Sequence, residues 1–164
     1  SEVLMLLDIR PAEGIDIDII ACDMRPADLA EIAATGTVDP YDALTNCMTL
    51  SMPSCYTMTA DDLPIAMLGT APVELIPDFG SIWLLGTEEI EEHPVALLRL
   101  CKKILPRLMT PYDMLFNLMD VRNELHVKFV KWLGFTFIRE RPFGPEGLPF
   151  YEFALINKNR RSHV

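Results

Sequence analysis

The chain has 164 residues, half of them hydrophobic and 23% charged, which suits one compact domain and excludes a disordered chain. Its net charge of −10 is unevenly spread: residues 1–98 carry eighteen acids against Arg10 and Arg25 alone, and residues 99–164 carry six acids against twelve bases. An acidic molecule repels phosphate backbones, so nucleic acid is not an expected partner, whereas a basic patch in the second half can hold a small anion. No apolar run approaches the roughly 20 residues of a membrane span, and no leader pattern follows Ser1, so a soluble, cytoplasmic protein without membrane attachment is expected.

In chain order, the first 14 residues read as a peripheral segment. Ile15 to Cys22 alternates and then turns apolar, which predicts a strand. Pro26 to Ala34 reads as a helix closed by Gly36, and Pro40 to Leu50 as a second one capped by Asp39. Asp8–Glu13 and Asp23–Asp28 echo each other, so either copy can open the domain. Ser54–Ala60 and Leu63–Thr70 predict a hairpin across Asp61-Asp62, and Ser81–Leu85 a short buried strand.

From Pro94 a long helix carries Leu97, Leu98, Cys101, Ile104, Leu105 and Leu108 on one side and Arg99, Lys102, Lys103 and Arg107 on another, with Pro106 expected to kink or end it. Leu115–Met119 follows as a strand. Asn123–Leu133 is an amphipathic helix with Leu125, Phe129, Trp132 and Leu133 inward, stopped by Gly134. Phe135–Glu140 and Phe150–Ile156 close the domain as two strands, and 158–164 is a tail. Strands on both sides of a crossover helix make the sheet mixed and mostly antiparallel. Cys22, Cys47, Cys55 and Cys101 show neither a C-x-x-C pair nor zinc-site spacing, so they read as reduced thiols, with no metal site expected.

Asn117-Leu118-Met119-Asp120-Val121-Arg122-Asn123, followed by His126, Phe129, Gly134 and Phe135, resembles the GNAT N-acetyltransferase superfamily. There a strand leads to an asparagine that opens a helix ending in Gly-Phe, with the eleven-residue step found here between Asn123 and Gly134. With Tyr112-Asp113 and Lys131-Trp132 added, the pattern is similar to GNAT-like proteins of short-tailed bacteriophages. The resemblance covers about residues 15–157 and implies a single α/β domain with a splayed, mixed sheet flanked by helices.

It also implies acetyl-coenzyme A in the splay between Ser81–Leu85 and Leu115–Met119, held by Leu84, Leu85, Gly86, Asn117 and Asn123, with His126 and Asp120 as proton carriers. From the residues alone, Asn123 reads equally as the cap of its helix, Asp120 as fixing the turn before it, and His126 as a packing histidine. Two departures accompany it. The family's glycine-rich phosphate loop aligns with Glu89-Ile90-Glu91-Glu92-His93-Pro94, and its usual tyrosine acid with Val130, for which His126 can substitute. Two functions therefore stand open: an acetyl-coenzyme A-dependent N-acyltransferase acting on a protein or small-molecule amine, or a GNAT-fold protein that binds a host or virion protein. The phage setting implies the infected host's cytoplasm or the virion interior. Oligomeric state is not set by the sequence.

Overall fold

The computed structural model describes residues 5–37 and 39–160. Its elements run β1 Leu7–Pro11, α1 Gly14–Cys22, α2 Pro26–Ala34, α3 Pro40–Ser51, β2 Cys55–Ala60, β3 Leu63–Val73, β4 Ile76–Gly86, α4 Glu89–Glu92, α5 Pro94–Met109, β5 Met114–Asp120, α6 Glu124–Trp132, β6 Thr136–Phe143 and β7 Leu148–Ile156, with a 3-10 turn at Lys158–Arg160. One seven-stranded sheet has the order β1-β2-β3-β4-β5-β7-β6, and among the described residues only β4 and β5 pair in parallel. Ile20, Leu44, Met67 and Leu85 pack on the face covered by α1, α2 and α3. Met58, Leu68, Leu97 and Phe129 pack on the face covered by α5 and α6. The fold is thus a single α/β domain with a mixed sheet.

Two expectations near the N-terminus are overturned. The strand lies at Leu7–Pro11, paired antiparallel to β2, so these residues belong to the sheet; a short edge strand tolerates its terminal Pro11. Ile15–Cys22 lies within α1 instead. Its buried positions are Asp16, Ile17 and Ile20, a helical spacing that includes a charge and therefore hides inside an alternating sequence. Asp16 is fully buried because Arg10 reaches it with two 2.8 Å hydrogen bonds, while Thr57 Oγ1 and the Glu13 N–H also donate to it. Of the echoed copies, the first forms β1 and the second opens α2.

Asp39 caps α3 by accepting from the Tyr41 and Asp42 N–H groups. The β2–β3 hairpin turns at Asp61 and Asp62, both at positive φ, a turn that aspartate tolerates. α5 continues through Pro106 to Met109. Pro106 is exposed and leaves only the carbonyl of exposed Lys102 without its helical donor, where water can serve. Trp132 is exposed, not inward, and its ring lies under Lys102 of α5. β3, β4, β6 and β7 each run past the predicted spans, and residues 161–164 of the expected tail lie outside the described residues.

Burial alone pushes the Asp16 carboxyl up, but the bonds from Arg10, Glu13 and Thr57 together outweigh it and hold it below the ordinary carboxylate range. Its stabilisation is therefore present above the unfolded value and lost as pH falls through the folded one. Arg10→Leu should cost about 3–5 kcal/mol at pH 7, since it leaves a buried carboxylate unpaired. Urea melts of both proteins check this, and the gap between them should narrow as pH falls through the carboxylate range, because the variant's Asp16, buried without Arg10, takes up its proton before the wild type's does.

Candidate active site

β4 and β5 pair only at Phe79–Met114, Gly80–Leu115 and Ser81–Phe116, and beyond Ser81 the two strands separate. At the crotch Asn117 Nδ2 donates to the Ile82 carbonyl at 2.6 Å, a side chain standing where the next strand bond would be. Gly86 directs its N–H to Asp28 Oδ2 and its carbonyl to the Arg25 N–H. In a strand, alternate residues present their polar groups to the same side. Leu84, midway between Ile82 and Gly86, therefore turns its N–H and carbonyl into the gap, while the backbones of Trp83 and Leu85 face β3.

A cavity of about 240 Å³ occupies the splay. Its walls include Ile82, Trp83, Leu84 and Leu85 of β4, Asn117, Leu118 and Met119 of β5, Cys101, Leu105 and Leu108 of α5, and His126, Phe129 and Val130 of α6, with Glu31 and Ile32 of α2, Thr35 just after it and Cys47 of α3. The lining draws on both faces of the sheet, so the space passes between the strands. Burial pushes the Cys47 thiol up to about 11 and Cys101 up to about 12. Both lining cysteines stay protonated and unreactive near neutrality.

At the ends of the two strands α2 bridges them, Asp28 bonding to Gly86 and Glu31 to Asp120. Arg25, 3% exposed, donates to Asp28 Oδ1 at 2.7 Å and to Asn123 Oδ1 at 3.0 Å. Asn123 Nδ2 faces three acceptors, Asp28 Oδ1 at 2.9 Å, Glu31 Oε2 at 3.0 Å and His126 Nδ1 at 3.1 Å. Glu31 Oε2 also accepts from the Asp120 N–H at 3.2 Å, while its Oε1 stands 3.9 Å from His126 Nδ1. His126 Nε2 lies 3.4 Å from Asp28 Oδ1, within ion-pair range but out of line for a hydrogen bond, and it has no hydrogen-bond partner among the described residues.

Of the predicted site residues, Leu84, Leu85, Asn117 and His126 meet in one cavity, and Gly86, Asp120 and Asn123 do not line it. Gly86 is occupied by α2 on both its polar groups. Leu85 contributes a side chain but no free backbone group. Asn123 is neither a side-chain cap of α6 nor a cavity wall but the centre of the buried cluster. Asp120 is bound by Arg122 through three guanidinium contacts of 2.6–3.1 Å and through the Arg122 N–H at 2.9 Å. Burial raises the Asp120 carboxyl, yet Arg122 prevails and holds it below its ordinary value, which suits a turn-fixing anion and not a base.

Arg25, Asp28 and Glu31 escaped the sequence reading. Arg25 is one of two bases in the first 98 residues, and Asp28 and Glu31 lie three apart on one helix; together these were the available signal.

The splay suits a narrow, mostly apolar arm with one polar backbone contact at Leu84, as a pantetheine thioester has. The far end does not suit a diphosphate. There, in and just before α4, Ile90 is turned inward and buried, Glu88, Glu89 and Glu92 are exposed, and Glu91 accepts from Arg25 Nε at 3.0 Å. Pro94 opens α5 without an N–H.

A mixed sheet whose single parallel pair splays open between two helical layers is the GNAT N-acetyltransferase fold. Solved structures carry the likeness over nearly the whole chain. The ribosomal-protein-S18-alanine N-acetyltransferase from Escherichia coli has a TM-score of 0.68 at 13% identity, covering 97% of this chain and 99% of that one. The aminoglycoside N(6')acetyltransferase from Legionella pneumophila has 0.67 at 15%, covering 92% and 91%. The yncA protein of Salmonella typhimurium, solved with its cofactor acetyl-CoA, has 0.63 at 14%, covering 96% and 98%. No protein-family model matches the sequence, and no curated protein does. At such identities the likeness is one of fold, and nothing in these three ties the chain to bacteriophages.

Burial raises the Glu31 carboxyl above its ordinary value, with nearby Asp28 adding to the effect, against the lowering by His126, Asn123 and the Asp120 N–H. Below the ordinary value both folded and unfolded chains hold this proton. As pH rises, the unfolded chain releases it first, so stability declines until the folded value is passed. Glu31→Gln removes that decline. Thermal melts at pH 4.5 and 7 should show the variant gaining on the wild type as pH rises.

Proposed function

We propose that this chain transfers an acyl group from a pantetheine thioester to an amine at the β4–β5 splay. One observation carries the reading: a carboxyl raised above its ordinary value, Glu31, is fixed by one oxygen at the wall of an apolar cavity where the Leu84 backbone faces inward. Acyl transfer forms a carbon–nitrogen bond and breaks a carbon–sulfur bond; the amine loses a proton and the departing sulfur gains one. Glu31 takes the base role that the sequence reading gave Asp120, since its raised affinity for a proton suits removal from an ammonium. His126, with Nε2 unpartnered at the cavity wall, is the group placed to return a proton. The Leu84 N–H is the donor for charge developing on the thioester oxygen. Acetyl-coenzyme A is the familiar donor of this chemistry, and its pantetheine arm is the part these residues suit.

The exposed Glu88, Glu89 and Glu92 favour a second reading, in which the fold only binds a protein partner and the acidic α4 surface keeps the coenzyme away. The resemblance to short-tailed phage proteins belongs with this second reading, where the partner is a host or virion protein.

Millimolar S-acetylpantetheine should raise the melting temperature of the wild type, because a ligand of the folded state alone stabilises it. Thiol release in the presence of a panel of primary amines should fall about 10²–10⁴-fold in Glu31→Gln, with the ligand-induced rise in melting temperature retained. No rise with S-acetylpantetheine would favour the binding protein.

A further inference from the structure

We propose that the acyl donor is a thioester on the phosphopantetheine arm of an acidic carrier protein, which docks on the outer faces of α5 and α6; this rests on the acyl-transfer reading above. The arm and its thioester are shared with acetyl-coenzyme A, so the distinction lies in what stands outside the slot.

The first ground is the misfit at the diphosphate end. Four carboxylates fall within residues 88–92, and the first position of α5 is a proline. Like charges oppose each other, so these carboxylates disfavour a diphosphate placed beside them. A carrier arm ends in a phosphodiester with a single charge where the coenzyme has a diphosphate, so the repulsion is smaller and contacts between the two proteins can offset it.

The second ground is the charge of the two helices that flank the slot. In a chain of net charge −10, α5 and α6 hold six bases, Arg99, Lys102, Lys103, Arg107, Lys128 and Lys131, against one acid, Glu124. All six bases are exposed, and none is in an ion pair among the described residues. Lys102 lies 5.2 Å from the ring centre of Trp132, itself 57% exposed, and joins the two helices above cavity residues Cys101 and Leu133. An un-neutralised basic face around the slot, on an otherwise acidic molecule, complements an acidic protein that must deliver an arm between these helices. In the transfer the carrier arm's carbon–sulfur bond breaks, its sulfur leaves as a thiol still attached to the carrier, and the acyl carbon joins the amine nitrogen.

The test measures binding to the full chain by calorimetry for three acetyl thioesters: S-acetylpantetheine, acetyl-coenzyme A and an acetyl-loaded bacterial acyl carrier protein. The loaded carrier should bind at least tenfold more tightly than acetyl-coenzyme A and weaken at least tenfold between 50 and 500 mM salt. In Lys103→Glu/Lys128→Glu the carrier should lose at least tenfold in affinity. Coenzyme binding as tight as the carrier's, or carrier binding unmoved by salt and by the charge reversal, overturns the carrier while leaving acyl transfer intact. Failure of all three thioesters to bind at millimolar concentration overturns both.

Discussion

Two strands that have stopped bonding to each other need something else to fix their separation, and in this molecule it is α2. Its first residues bond to Gly86 at the end of β4, and Glu31 one turn further bonds to Asp120 at the end of β5. Asn123 joins the two attachments through Asp28, Glu31 and Arg25. A buried Arg–Asp pair yields little net stability, since desolvation offsets attraction, but breaking it costs about 3–5 kcal/mol. Its value is geometric. The splay keeps one width, and the Leu84 backbone, Glu31 and His126 keep their places around it.

The same cluster explains why Glu31 suits proton work and Asp120 does not. Both carboxyls sit near the end of β5, but Asp120 has Arg122 beside it and Glu31 has only neutral donors and His126. Environment, not residue type, divides their roles. The charge division of the sequence takes spatial form as well. Six of the twelve bases of the second half lie on the α5–α6 layer on one side of the splay, and the acids of α2 and α4 gather at its other end.

Much of this was legible in the residues. The Asn123-to-Gly134 step and the apolar runs at Ser81 and Leu115 placed the splay and its crossover helix correctly, because buried parallel strands and an amphipathic helix announce themselves through hydrophobic pattern. Asp16 misled for the opposite reason: a charged residue that Arg10 lets into the core looks like the polar half of a strand. Asp28 and Glu31 were hidden because acids early in a helix normally answer its dipole at the surface. Their burial depends on Arg25 and Asn123, and Asn123 is 95 residues from Asp28 in sequence. Which backbone groups of β4 face the gap was equally beyond reach, since pairing parity follows from the observed bonds of Ile82 and Gly86.

The clamp across the splay is tested most directly by amide hydrogen exchange, read at Gly86 and Asp120 in the wild type and in Arg25→Met. The two amides lie on strands that share no bond at these positions. If α2 holds both strand ends as one unit, both amides should be protected in the wild type and should lose protection together in the variant. Loss at Gly86 with Asp120 unchanged would show that the two ends are fixed separately, and the account of α2 as the element that sets the slot would be wrong.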